Sequence, residues 1–106
     1  MWEVSPSEAY DAWQAGDLSI VDIREQGEHD QARVPGVPLI PMSALAERMD
    51  ELPAAPLAIL CRSGSRSARV AEYLNSLGTY GEVANLDGGI IAWIQDGLPY
   101  DGSEPS

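Results

Sequence analysis

The sequence predicts an α/β fold, a mainly parallel sheet with helices on both faces. Three observations carry this. Several short segments, Leu18–Ile23, Leu57–Leu60 and Glu82–Leu86, are apolar at nearly every position, as strands covered on both faces are. Segments with helical spacing or helix-capping signals alternate with them along the chain. Gly, Pro and Ser punctuate the junctions.

In chain order, Ser5-Pro6-Ser7-Glu8 offers a hydroxyl cap, a proline at the first helical position and a glutamate three residues after the cap. That capping box opens a helix expected to reach about Ala15 and stop at Gly16. The first strand, Leu18–Ile23, is followed by a helical turn over residues 25–31 and a turn at Pro35-Gly36. A short, proline-interrupted strand is expected over Val37–Met42, then a helix from Ser43 to about Leu52. Leu57–Leu60 is too short and continuous for a helix and reads as a buried strand with Cys61 at its carboxyl end. Val70, Ala71, Leu74 and Leu77 recur at helical spacing before Gly78. Residues 82–86 form the next strand, Gly88-Gly89 a turn and Ile90–Gln95 the last helix. With 106 residues there is material for one core, so residues 1–100 are expected to be a single domain and residues 101–106 a mobile tail.

The net charge of -11 argues against nucleic acid or an anionic membrane as partner, since both are bound through basic surface. No apolar run approaches the roughly 20 residues that cross a bilayer, and the expected location is the cytoplasm. A single cysteine cannot close an internal disulfide. Nothing in the sequence calls for a metal or cofactor. Lysine is absent, and three of the six arginines, Arg62, Arg66 and Arg69, fall just after Cys61.

The loop Cys61-Arg62-Ser63-Gly64-Ser65-Arg66 joins a strand to a helix at the sheet edge where ligands bind in such folds. Its small residues let the backbone curl so that N–H groups face inward, and the helix after it adds the positive end of its dipole. Both favour a thiolate, the reactive form of cysteine. A lone cysteine is more often a small hydrophobe in the core, but a core cysteine needs neither the Gly/Ser loop nor the arginines. Arg62 is the candidate ligand for an anionic substrate and Arg66 the candidate for loop geometry. Asp22 and Arg24 end a strand at the same edge, where a carboxylate could hold the loop by accepting from Arg66 or loop amides. Trp93 and Gly88-Gly89 are assigned structural parts.

At these residues the sequence resembles the rhodanese family of sulfurtransferases. The resemblance extends to Val21-Asp22-Ile23-Arg24-Glu25, Val34-Pro35-Gly36 and Leu86-Asp87-Gly88-Gly89-Ile90 with Ala92-Trp93, so it spans residues 3 to 100. It implies a three-layer fold with a five-stranded, mainly parallel sheet. Cys61 would carry sulfur as a persulfide, with the backbone of Arg62, Ser63, Gly64, Ser65 and Arg66 cradling the outer atom. By the same resemblance, sulfur would come from a small donor such as thiosulfate and pass to cyanide or a thiol, with a protein persulfide or a thioredoxin-like protein among candidate partners. The family's usual histidine position holds Arg33, and His29 stands where an aromatic is common, so no catalytic histidine is indicated and His29 is read as an exposed helix residue.

Two other functions fit parts of the pattern. A cysteine-dependent phosphatase or arsenate reductase also uses a strand, a loop and a helix, but its loop has one more residue between cysteine and arginine than the four found here. An interaction or redox-sensing module of the same fold would keep the architecture without turnover, although a sensor would usually have a resolving cysteine.

Overall fold

The computed structural model describes residues 2–105. The chain runs β1 (Trp2–Val4), α1 (Pro6–Gln14), β2 (Ser19–Asp22), α2 (Gln26–Gln31), β3 (Ala32–Arg33), two 3-10 turns (Met42–Glu47 and Met49–Glu51), β4 (Leu57–Leu60), α3 (Ser65–Ser76), β5 (Val83–Leu86), α4 (Gly89–Gln95) and β6 (Asp101–Gly102). The main sheet has the order β1-β5-β4-β2, with every neighbouring pair parallel.

Strand alternation divides the core between the two faces. Ile20, Ala58, Leu60, Ala84 and Leu86 pack with Ala9, Ile90 and Trp93 of α1 and α4. Val21, Leu57, Ile59, Cys61 and Val83 pack on the other face with Val70, Ala71 and Leu74 of α3 and Leu45 of the first 3-10 turn. Tyr10, Trp13 and Trp93 meet edge to face beneath α1 and α4, and the Trp93 indole N–H donates to Pro99 O at 2.7 Å. The structural part expected for Trp93 is therefore a core one. At the start of α1, Glu8 N–H donates to Ser5 Oγ and Ser5 N–H to the Glu8 carboxylate, as the capping box requires.

The structure corrects four expectations. Among the described residues the main sheet has four strands, not five: residues 37–42 run beside β2, with Asp22 N–H donating to Pro38 O and Ile40 N–H to Asp22 O, but the ladder stops at one bridge, Asp22 to Leu39, because Pro38 has no N–H to extend it and the Arg24 N–H turns to the Asp22 carboxylate. Ser43 does not cap a helix; the segment forms 3-10 turns, and Ser43 donates through its backbone and side chain to the Glu25 carboxylate. Leu77 is 41% exposed rather than part of the buried face of α3, which ends at Ser76. The tail expected to be mobile from Asp101 instead pairs antiparallel with β3, and Ser103 N–H donates to Gln31 O. Backbone hydrogen bonds hold this stretch where apolar side chains are missing. Among the described residues, no helix is long and apolar enough to cross a membrane.

Candidate active site

Cys61 follows β4 directly and is fully buried on the α3 face of the sheet. The chain then turns within three residues and enters α3 through Gly64, whose φ of 102° lies in the left-handed region that glycine adopts without strain. This turn brings backbone donors round to the sulfur. Gly64 N–H lies 3.1 Å and Ser67 N–H 3.4 Å from Cys61 Sγ, and Ser67 Oγ lies 3.1 Å from it. Burial pushes the Cys61 thiol up. Hydrogen bonds from the Ser67 side chain and from the backbone of Ser67, Gly64 and Ser63 together outweigh burial and hold the thiol below its ordinary value. These donors stabilise the anionic form of the sulfur relative to an ordinary thiol.

The outer side of the loop is gripped by α4. Ile90 N–H donates to Cys61 O at 2.9 Å and Ile91 N–H to Arg62 O at 3.2 Å. Because these carbonyls point to α4, the amides between them and α3 are free to point to the sulfur. The approach is so close that a Cβ on Gly89 would lie 2.4 Å from Arg62 O and 2.5 Å from Cys61 O. Gly88-Gly89, assigned only a tight turn from sequence, is also what lets α4 clamp the loop.

The arginines after Cys61 differ in their surroundings. Arg66 forms a two-pronged pair with Glu28 of α2, both distances 2.7 Å. Asp22 is not its hydrogen-bond partner. The Asp22 carboxylate instead accepts from Arg24, and both side chains are 2% exposed. Arg24 also donates to Glu28 O and Ala32 O. Asp22 and Arg24 are thus linked to the loop only at one remove, through the Arg24 hydrogen bonds to the backbone of Glu28 and Ala32 and the Glu28–Arg66 pair. Arg62 and Ser63 sit at the loop surface, half-buried and exposed respectively, and Ser65 is exposed at the start of α3.

His29 lies on α2, half-buried rather than exposed. Arg33, at the position where the resembled family has histidine, donates to the carbonyls of His29 and Asp30 at the end of α2, which makes it a helix cap.

Sequence reasoning missed one residue at the sulfur and another behind it. Ser67 is wholly buried, and its hydroxyl donates to Asn85 Oδ1 at 2.5 Å. Asn85 is 3% exposed in the middle of β5 and donates from Nδ2 to the Glu3 carboxylate at 3.2 and 3.4 Å. The available signal was a polar residue inside the otherwise apolar run Val83-Ala84-Asn85-Leu86.

Known proteins resemble this chain in sequence and fold. A protein named sulfurtransferase from Allochromatium vinosum is 45% identical over 84 residues, which are 78% of this chain and 78% of its own. The Mycobacterium tuberculosis protein named probable adenylyltransferase/sulfurtransferase MoeZ is 32% identical over 91% of this chain, which spans only 25% of that longer protein. The crystal structure of a rhodanese-related protein from Thermoplasma volcanium superposes with a TM-score of 0.83 at 28% identity, covering 95% of this chain and 98% of that one. Residues 5–96 match the family model for the rhodanese-like domain, and the chain belongs to that family.

Proposed function

We propose that the protein is a sulfurtransferase that carries sulfane sulfur as a persulfide on Cys61. The observation that carries this reading is the cup around Sγ: backbone N–H groups of Gly64 and Ser67 and the Ser67 hydroxyl converge on one sulfur at the carboxyl end of a parallel strand. The 45% identical relative named sulfurtransferase supports the same class of reaction.

In the first half-reaction the Cys61 thiolate attacks the outer sulfur of a donor such as thiosulfate. A new S–S bond forms, the donor's S–S bond breaks, and sulfite leaves with the electron pair. Negative charge then rests on the outer sulfur, where N–H groups of the loop from Arg62 to Arg66 stabilise it. In the second half-reaction cyanide or a thiol, free or on a protein such as a thioredoxin-like partner, takes that sulfur and the bond electrons return to Sγ. The cycle is ping-pong through a covalent intermediate. Arg62 binds the sulfonate oxygens of the donor. A cytoplasmic setting, in which a lone thiol stays reduced, suits this chemistry.

The test is intact mass after incubation with thiosulfate and removal of excess donor. One added sulfur, lost on addition of cyanide and absent from Cys61→Ser, is the expected result. Equal gain in wild type and Cys61→Ser, or no gain in either under donor excess, overturns the reading.

A further inference from the structure

The Ser67 hydroxyl has one hydrogen and two claimants. Its oxygen lies 3.1 Å from Cys61 Sγ and 2.5 Å from Asn85 Oδ1. The amide of Asn85 is pinned from its far end, because Nδ2 donates to the Glu3 carboxylate. Glu3 and Asn85 are register partners in the parallel pair of β1 and β5, so the carboxylate is a fixed neighbour. A carboxylate accepts and does not donate, which turns the amide nitrogen outward and leaves the amide oxygen facing Ser67.

Two arrangements of hydrogens follow. With Cys61 as a thiol, S–H donates to Ser67 Oγ and Ser67 O–H donates to Asn85 Oδ1, so each group has a partner. With Cys61 as a thiolate, the sulfur has no hydrogen and attracts the Ser67 O–H, a charge-assisted bond. Turning there takes the hydroxyl away from Asn85, whose buried oxygen loses its donor.

We propose that the Ser67 hydroxyl rotates between Cys61 and Asn85 during sulfur transfer, and that Asn85, held by Glu3, is a positioning residue that competes with the sulfur for that hydrogen. The role in turnover rests on the persulfide reading given above. In the thiolate, Ser67 donates to Sγ. Once thiosulfate has delivered its outer sulfur and sulfite has left with the electron pair, Sγ is a neutral bridging sulfur and a weak acceptor, so Ser67 returns to Asn85. When the acceptor removes the outer sulfur and the electrons come back to Sγ, the hydroxyl swings back. Ser67 thus stabilises Sγ both as nucleophile and as leaving group.

Other charges surround Cys61. They are Asp22 and Arg24 at the end of β2, paired with each other; Glu28 of α2 and Arg66 of α3, likewise paired; Arg62 in the loop; and Glu3 of β1 behind Asn85. Comparison between variants at Ser67 and Asn85 leaves the two ion pairs and Arg62 in place.

The experiment follows thiolate ultraviolet absorbance against pH in the whole protein without any sulfur donor, as a difference from Cys61→Ser. It needs no reagent to reach the buried sulfur. Ser67→Ala should raise the midpoint by about one unit, the worth of one hydrogen bond to a charged acceptor, and Ser67→Thr should restore it. Asn85→Leu keeps the shape but removes the competing acceptor, and should lower the midpoint. In the Ser67→Ala background Asn85→Leu should have no effect, since its influence passes through the hydroxyl. Glu3→Lys, on an exposed strand that tolerates substitution, gives a second route: an ammonium only donates, so it turns Asn85 Oδ1 outward and Nδ2 toward Ser67. That should also lower the midpoint, with most of the drop lost in Ser67→Ala. Sulfur loading measured separately by mass tells the two ideas apart, because the titration can succeed where loading fails and the reverse. A raised midpoint in Asn85→Leu, or equal shifts from Asn85→Leu or Glu3→Lys with and without Ser67, would overturn the proposal.

Discussion

Arg66 and Glu28 stand 38 residues apart in sequence, yet both guanidinium Nη atoms lie 2.7 Å from the two carboxylate oxygens. The pair ties the first turn of α3 to α2 across the mouth of the loop. The Arg66 hydrogen bond outweighs partial burial and takes Glu28 down to about 2 from an ordinary 4.5.

That shift makes a stability prediction with a definite sign. A carboxyl group held lower in the folded chain than in the unfolded one stabilises the fold fully above about 4.5, and the contribution disappears as pH falls through about 2. Both side chains are about one-third exposed, at 32% and 31%, so solvent screens part of the interaction. Glu28→Gln should cost about 1–2 kcal/mol near neutral pH and almost nothing at the acid end. Urea denaturation of wild type and variant at several pH values checks this, and a difference that persists unchanged below pH of about 2 would place the cost elsewhere.

Gly89 yields a larger effect. Its φ is +61°, and a Cβ there would overlap the carbonyl oxygens of Cys61 and Arg62. Gly89→Ala should therefore push α4 off the loop and cost about 3 kcal/mol or more, through backbone strain and loss of the Ile90 and Ile91 hydrogen bonds. In whatever fraction remains folded, the loop amides should turn from Cys61 and its midpoint should rise. Denaturation and thiolate absorbance report the two consequences separately.

The parts of the fold written in local sequence were legible, and those that depend on distant partners were not. Leu57–Leu60 announces a buried strand by composition, Ser5 to Glu8 announce a helix start, and the Gly/Ser loop places Cys61 at a ligand-binding edge. Trp2–Val4 escaped notice because a three-residue edge strand with one buried side chain has no pattern of its own. The Val37–Met42 strand failed because proline chemistry overrode apolar character. Glu28 was out of reach for another reason: nothing near it in sequence says that Arg66 will arrive. Asp22 shares the sheet edge and could have filled that part, but its carboxylate is taken up by Arg24 two residues away. Asn85 and Ser67 are polar residues on elements read for their apolar faces, and only packing α3 onto β5 brings them together.

Arg62 is half-buried at the loop surface, and in the proposed reaction its guanidinium is the group that binds the sulfonate oxygens of the donor before and during transfer. An interaction present in both ground and transition states affects binding more than the chemical step. Arg62→Ala should raise KM for thiosulfate several-fold, with a smaller change in kcat, and added salt should narrow the gap from wild type. Steady-state kinetics at two ionic strengths measure this. An unchanged KM with a collapsed kcat would move Arg62 into transition-state stabilisation or loop folding.

Loop size should decide between sulfur and phosphate. Four residues separate Cys61 from Arg66, one fewer than in cysteine-dependent phosphatases, and Gly64 closes the turn with its N–H 3.1 Å from Sγ. A ring drawn this tightly around one sulfur leaves no space for the oxygens of a tetrahedral anion, each of which needs its own donor at hydrogen-bond distance. The unmodified protein should therefore fail to cleave an aryl phosphate. One glycine inserted between Ser63 and Gly64 should widen the ring while Cys61 still ends β4 and Gly64 still leads into α3. The widened loop holds the outer sulfur with fewer short contacts, so the persulfide should decay faster by intact mass, and phosphate or arsenate should protect the thiol from alkylation where it does not in wild type. Aryl phosphate cleavage by the unmodified protein, lost in Cys61→Ser, would contradict the size argument and reverse the order in which the two enzyme classes are preferred.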